Sequence, residues 1–368
     1  MQSPPKILFR RSPHLVCYWG GHKFVFEHYL RRLRIRAEPL ACEILHYFSA
    51  WKTQDGLARR MSGYDPASLR SAVKELAGRG LLETAYGAPP VEKKSQAWKD
   101  WTPTAAYLHF STKDEPFTSD PAEEMRLFRG RARLWRVPAP VKRYAGARRY
   151  SLPKPRKSGE LPRVLLERRT WRQFSREPLD LSALSTLLGL TWGIHGWMDG
   201  GLLGRLAMKT SPSGGARHPI EVYVLALNVR GLPRGLYHYA AAGHKLELLR
   251  RGATRQQAGQ FLPSQWWFKR AAALFLMTAV FPRTQWKYPS ARAYRVVLAD
   301  AGHLGQTFCL VATWLGLAPF CTMALADTKI EKALGVDGFS ESALYVTGVG
   351  GRPAGVLAPG DLPPTRRK

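Results

Sequence analysis

Thr210-Ser211-Pro212-Ser213-Gly214-Gly215-Ala216-Arg217-His218-Pro219 leads straight into Glu221–Leu227, where Val222, Val224 and Ala226 alternate with Tyr223 and Leu225. No charge interrupts the run after Glu221, which reads as a buried strand. Small hydroxyl residues and paired glycines ahead of it let the backbone approach a flat partner closely, and Ser213 carries a hydroxyl able to bond one. Taken alone, the same residues also make an ordinary glycine-rich turn. Outward from this point helices and strands mix. Leu181–Leu190 reads as a helix with Ser182 near its start, Gly235–Tyr239 as a short strand, and Ala271–Val280 as either a core strand or a buried helix. Asp300–Leu315 reads as a long helix with Gly302 and Gly305 on it, and Ala343–Val349 as a late strand entering Gly350-Gly351-Arg352. Mixed order of this kind predicts an α+β domain over residues 161–368.

The 368 residues leave room for more than this domain, and 45% hydrophobic content supports a real core. No eighteen apolar residues run uninterrupted; the longest stretch, around Ala271–Phe281, is closed by Lys269, Arg270 and Pro282, so no membrane span is expected. Met1–Lys6 has neither an apolar core nor a small-residue cleavage site, and Cys17, Cys42, Cys309 and Cys321 are scattered. Those features predict no secretion signal, no disulfide framework and a reducing cytoplasm. The histidines His22, His28, His46 and His109 lack metal-ligand spacing, so no metal is expected. Lys and Arg number 56 against 27 Asp and Glu, a net charge of +29. Such a balance favours an anionic partner: nucleic acid, a phosphorylated cofactor or an acidic peptide. An arginine-rich surface without a specific partner accounts for it equally well.

Residues 1–87 read as a separate module. His14–Trp19 and Lys23–Tyr29 form a hairpin at Gly20-Gly21, and Arg31–Arg36 makes a third strand. Pro39 opens a helix with Leu40, Ile44, Leu45 and Phe48 on one face; Thr53–Met61 is a short second helix. Asp65 caps a third, with Pro66 at its first position and Leu69, Ala72, Val73 and Leu76 inward, and Leu81–Thr84 follows as an extended wing. Together they predict a small winged-helix domain. Residues 88–160 read as a Pro/Arg-rich connection, with Pro138, Pro140, Pro153 and Pro155 among basic residues.

Two further clusters carry chemistry. Arg168-Arg169-Thr170-Trp171-Arg172-Gln173-Phe174, expected just before a helix, packs guanidiniums and a hydroxyl with no acid among them. Such a group repels itself unless an anion neutralises it, and its forks suit a phosphate. An exposed basic turn is the alternative. Trp286-Lys287-Tyr288-Pro289-Ser290-Ala291-Arg292-Ala293-Tyr294-Arg295 sets a lysine beside a tyrosine with arginines following. Burial and neighbouring cations would tune such a pair for proton transfer; a solvated surface lysine is the plainer reading.

In this order the clusters make the chain recognisable. Arg168–Phe174, Pro212–Ala216, Gly235-Leu236-Tyr237-His238-Tyr239, Lys287-Tyr288, Arg292–Arg295, Asp300-Ala301-Gly302-His303, Gly316-Leu317 and Gly350-Gly351-Arg352 resemble the SagB-type dehydrogenases over about residues 161–355. These are the flavin-dependent azoline oxidases of the nitroreductase superfamily. The resemblance implies an antiparallel-rich sheet flanked by helices, FMN as cofactor, and a homodimer with FMN at the subunit interface. By the same resemblance Arg168, Arg169, Thr170, Arg172 and Arg352 would hold the phosphate and ribityl chain, and Pro212, Ser213, Gly214 and Gly215 would line the flavin ring. Backbone at Ala318 and Pro319 would face its N5 edge, and Lys287 with Tyr288 would move the proton as azolines become thiazoles or oxazoles. Thr170 stands where the family usually has serine and Gly214 where alanine is more usual. Arg217-His218 replaces an apolar residue and an aromatic, which makes Arg217 a candidate substrate contact.

The N-terminal module resembles PqqD-like precursor-recognition domains, which take up a leader peptide as an added strand. Arg31, Arg32, Arg34 and Arg36 would suit an acidic leader, in a pathway with a precursor peptide and a cyclodehydratase. A flavin oxidase or nitroreductase of free metabolites is the alternative function. A DNA-binding regulator needs a more basic recognition helix than Leu69–Arg79, where Glu75 offsets part of Arg70, Lys74 and Arg79, so neither nucleic acid nor membrane is the expected partner.

Overall fold

The computed structural model describes residues 6–86, 98, 100–114, 120–134 and 157–356. Contacts divide the chain into two compact units: Met1–Lys113 with Tyr288–Tyr294, and Asp114–Lys287 with Arg295–Lys368. These divisions differ from the boundaries at 87 and 160. The stretch read as a connection contains two helices, and its prolines Pro138, Pro140, Pro153 and Pro155 lie outside the described residues.

In the first unit β1 (Ile7–Arg11) is followed by β2 (Leu15–Gly20), β3 (Lys23–His28), β4 (Leu33–Ala37) and α1 (Pro39–Tyr47). Then come β5 (Lys52–Thr53), α2 (Gln54–Arg60), α3 (Pro66–Gly78), β6 (Leu82–Tyr86) and α4 (Thr102–Ser111). The hairpin turns at Gly21, whose φ of 65° needs glycine. Asp65 caps α3 by accepting from Ser68 N at 2.8 Å. Ile44, Leu45, Phe48, Leu57, Leu69 and Val73 close the core at 1% exposure or less. The segment read as an extended wing at Leu81–Thr84 is strand β6, and what the reading lacked is its partner: β6 pairs along β1, a strand some seventy residues away that no local pattern announces. One expectation needs correcting: Arg31 and Arg32 sit in the turn before β4 and not on it, so the four arginines do not form one stripe. Only Arg34 and Arg36 share a strand face.

The second unit begins with α5 (Pro121–Leu134), α6 (Glu160–Glu167), α7 (Leu181–Trp192), β7 (Gly196–Asp199), β8 (Arg205–Met208), β9 (Ile220–Ala226), β10 (Gly235–Ala240) and β11 (Lys245–Arg251). It continues with α8 (Arg255–Phe261), β12 (Ala273–Val280), α9 (Phe281–Gln285), α10 (Ala293–Trp314), β13 (Leu317–Thr322), α11 (Asp327–Leu334) and β14 (Glu341–Gly351). Six strands form one sheet, β11-β10-β9-β12-β14-β13, antiparallel at every pairing. The apolar run at Ala271–Val280 is a strand. It lies between β9 and β14 with a packed layer on each side, and that double burial removes the alternation. Phe275 turns to one face, stacked on Trp192 of α7 at 5.5 Å and beside Phe308 of α10 at 4.8 Å. Leu274 and Leu276 turn to the other, with Phe261 of α8 and Ile330 of α11.

The long helix begins at Ala293, seven residues before the expected start at Asp300. By length and composition it is able to cross a bilayer, but half of its apolar window is buried in the protein, as in a core helix. The Arg168–Phe174 segment follows α6 directly and is neither helix nor strand; the next helix starts only at Leu181.

Candidate functional site

One stripe of α10 fixes the glycine-rich turn. Asp300, His303 and Thr307, at i, i+3 and i+7, stand on the same helix face. Asp300 accepts from Ser213 Oγ at 2.5 Å and from Gly214 N at 3.3 Å. His303 Nδ1 donates to Pro212 O at 3.3 Å, and the Thr307 hydroxyl bonds Ser211 at 2.7 Å. Ser213 Oγ also accepts from His218 N at 2.9 Å. The Ser213 proton is thus committed to Asp300, and the side chain braces the turn. Burial pushes the Asp300 carboxyl above its ordinary range, opposed by those same two hydrogen bonds. Gly215, Ala216 and His218 have φ of 64°, 55° and 44°. Two of them are not glycine, and a left-handed backbone there persists only because the surroundings over-determine it.

A neighbour on α10 explains why position 214 is glycine. A Cβ at Gly214 would lie 2.2 Å from Cγ1 of Val296 on α10. Valine is stiff on a helix and cannot swing away. Gly214→Ala is therefore expected to cost about 1–3 kcal/mol, and Val296→Ala in the same chain to restore most of it. Thermal unfolding of the single and double variants checks this; an unaffected single variant would refute it.

The other side of the turn is held from α9 and the residues after it. Arg217 Nε donates to Arg283 O at 3.0 Å, and Arg283 donates to His218 O at 3.1 Å while pairing with Glu221 at 2.5 Å. Lys287 Nζ reaches Gly215 O at 3.4 Å. Trp286 and Lys287, far from the turn in sequence, stand against it in space. Arg217 lies over the Trp286 ring at 5.4 Å. Burial, then Lys209, draws the His218 imidazole down to about 4, so it is neutral; its Nε2 donates to Ala207 O at 2.9 Å. Tyr288 is half-buried, and its carbonyl accepts from Trp101 Nε1 at 3.2 Å within the first unit.

A second brace runs through His238 of the Gly235–Tyr239 motif, which bonds Glu221 at 3.2 Å and Glu247 at 2.8 Å. The Glu221 bond, against burial and with help from Glu247, raises His238 to about 9. A raised folded-state value adds stability that is whole below the ordinary 6.5 and is lost as pH climbs through about 9. The imidazolium is therefore expected to contribute about 2–3 kcal/mol near neutrality. Comparing urea midpoints of the wild type and His238→Gln at pH 6 and about pH 10 tests it: the gap should close at the higher pH.

The arginine cluster extends from the end of α6 and lies against β13 and β14. Trp171 N donates to Pro319 O at 2.9 Å and Ser175 N to Gly351 O at 2.9 Å. Arg352 donates to Leu317 O at 3.0 Å and Thr313 O at 3.3 Å, and its guanidinium lies over Trp171 at 5.6 Å. Arg169 turns back to Leu166 O at 2.7 Å, and Arg172 lies over Trp267 at 5.6 Å. Thr170 is half-buried in the same segment. Among the described residues none of Arg168, Arg169, Arg172 or Arg352 has an acidic partner. Ala318 is fully buried, and the Pro319 carbonyl is already taken by Trp171, so that carbonyl is a structural acceptor. Sequence reasoning missed Arg283 and Thr307 entirely. Asp300 and His303 were visible in a motif, but only their spacing along a helix aimed at the turn could have assigned them work.

An antiparallel six-stranded sheet with helices on both faces and a turn gripped by the long helix defines a nitroreductase-like α+β fold. The chain belongs to the nitroreductase family, whose model matches residues 165–351, half of the chain. It is 36% identical over 141 residues to the trifolitoxin-processing protein TfxB of Rhizobium leguminosarum bv. trifolii, covering 37% of this chain and 38% of that protein. The matched stretch thus spans little more than a third of that relative's length. The trifolitoxin operon protein TfxC of the same organism is 24% identical over 73% of this chain and 78% of its own length. Among solved structures, the E. coli microcin synthetase McbBCD complex with truncated pro-MccB17 bound aligns with a TM-score of 0.48 at 18% identity, over 72% of this chain and 98% of that one.

Proposed function

We propose that this oxidoreductase binds FMN and oxidises azoline rings in a ribosomally made peptide to thiazoles or oxazoles, as a SagB-type dehydrogenase. The observation that carries the reading is the set of four guanidiniums, without acidic partners among the described residues, on the segment against β13 and β14 and at the end of β14. A donor set of that chemistry fits a phosphate. Arg168, Arg169, Thr170, Arg172 and Arg352 would hold the phosphate and ribityl chain, while the turn at Pro212, Ser213, Gly214 and Gly215 would line the ring. FMN, when bound, supplies the two-electron acceptor. Lys287 and Tyr288 take the ring proton that leaves as the azoline becomes aromatic, and Arg217 contacts the substrate. Similarity to proteins of trifolitoxin processing supports a peptide substrate.

In this reading Arg34 and Arg36 receive an acidic leader, a cyclodehydratase supplies the azoline, and the active form is a cytoplasmic homodimer. Incubation with FMN followed by gel filtration tests the cofactor: the protein should elute yellow. Arg168→Ala combined with Arg352→Ala should weaken retention about tenfold or more. Protein that stays colourless overturns the reading. Equal turnover of a leader-bearing azoline peptide and a leaderless one would favour the alternative, oxidation or nitroreduction of free small molecules.

A further inference from the structure

The segment Tyr288–Tyr294 belongs by its contacts to the N-terminal unit, and α4 with its flanking tryptophans makes those contacts. Trp101, fully buried, donates Nε1–H to Tyr288 O at 3.2 Å. His109, 3% exposed, bonds the Tyr294 hydroxyl at 2.8 Å. Trp98 stacks on His109 at 5.1 Å, and the rings of Trp98 and Trp101 both lie within 6 Å of Tyr294. Burial draws His109 down to about 3, so the imidazole stays neutral through the physiological range. Both ends of the segment are therefore tied into one aromatic cluster.

The same helix reaches the arginine-bearing sheet. Tyr107 donates to Glu27 at 3.1 Å; Glu27, 3% exposed, also accepts from Arg34 Nε and from the Tyr18 hydroxyl, each at 2.9 Å. Phe110 stacks on Tyr29 of the turn after β3 at 6.1 Å. One ten-residue helix thus touches the candidate peptide-binding face and carries the support of the Tyr288 segment.

We propose that Trp101 and His109 are positioning residues of the reaction, setting from the N-terminal unit where Tyr288 stands. This rests on the reading of Lys287 and Tyr288 as the proton-transfer pair. It also gives the N-terminal unit a part in turnover apart from any grip on a peptide: without α4 and the tryptophan before it, the segment loses the Tyr288 O and Tyr294 hydroxyl bonds.

The test uses the full-length, FMN-loaded protein and a synthetic thiazoline-containing peptide. Trp101→Phe keeps an aromatic six-membered ring and removes the indole N–H; Tyr294→Phe removes the hydroxyl that His109 bonds. Each should speed amide hydrogen exchange across residues 288–294 and lower kcat about tenfold, the worth of one hydrogen bond. KM should move less than about twofold and flavin absorption not at all. In a Tyr288→Phe background neither change should lower kcat further, since the group being positioned is gone. Unchanged exchange, faster exchange with unchanged kcat, or full additivity with Tyr288→Phe overturns the proposal. If Trp101→Phe fails to fold, Tyr294→Phe carries the test alone. Should Lys287→Ala and Tyr288→Phe themselves leave turnover intact, the proton-transfer reading fails and this one with it. Should they lower turnover while Trp101→Phe and Tyr294→Phe do not, only the positioning role fails.

Discussion

Lys287→Ala and Tyr288→Phe are each expected to cut turnover of an azoline peptide by about 10²-fold or more while the purified protein keeps its FMN. The argument is local. Lys287 Nζ lies 3.4 Å from the carbonyl of Gly215, in the turn assigned to the flavin ring, and the guanidiniums assigned to the phosphate belong to a separate segment against β13 and β14. Removing the Lys287 side chain would therefore leave the phosphate-binding residues in place. It takes away the amine that, as the free base, would accept the ring proton beside the turn. Tyr288→Phe changes one oxygen and leaves untouched the backbone carbonyl that Trp101 bonds. Acting as a unit, the pair should be non-additive: the double variant should be about as slow as the worse single one. Steady-state kinetics beside the visible flavin spectrum decide it, and an unchanged rate with full flavin content removes both residues from the site.

Asp300→Ala should be the most damaging single change to the site's framework. It strips acceptors from Ser213 Oγ and Gly214 N together, in a place where Asp300 is 4% exposed and water cannot readily substitute. Bonds to a charged acceptor are worth about 1.5–3 kcal/mol each, and orphaned buried donors add their own penalty. Two such bonds set an expected loss of about 3–6 kcal/mol, with the turn's left-handed residues losing the clamp that holds them. FMN retention should fall with it. Asp300→Asn should lose about 1 kcal/mol, because it still offers one acceptor and escapes the burial that raises the carboxyl. Calorimetric midpoints for the two variants provide the check: equal losses would show that the acceptor pair is not what holds the turn.

Much of this site was legible before any fold was known. The turn at Pro212–Ala216, the arginines at 168–172 and the pair at 287–288 are all composed against the statistical grain. Acid-free guanidiniums, paired glycines and a lysine next to a tyrosine are choices that local folding does not require. What escaped was the machinery around them. That Ser213 donates to Asp300 was invisible, because a hydroxyl in a glycine turn names no partner until a carboxylate from another element claims it. Nor does the sequence show that the Pro319 carbonyl accepts from Trp171 N. Arg31 and Arg32 were read onto a strand because their alternation continues into Arg34 and Arg36, yet the strand starts only at Leu33. Val296, which makes glycine necessary at 214, carries no signal of its own in the chain.

The amino-acid order by itself determined the α+β class, the α3 cap at Asp65, the hairpin at Gly21 and the buried strand after the turn, since each depends on neighbours within about a dozen residues. Tertiary structure alone decided that β1 closes on β6, that α10 grips the turn through three residues on one stripe, and that Tyr288–Tyr294 packs with α4 of the N-terminal unit. Those partners lie from about 70 to nearly 190 positions apart. Which of many compatible surfaces meet is then settled by the packing of the whole core, and no local pattern records it.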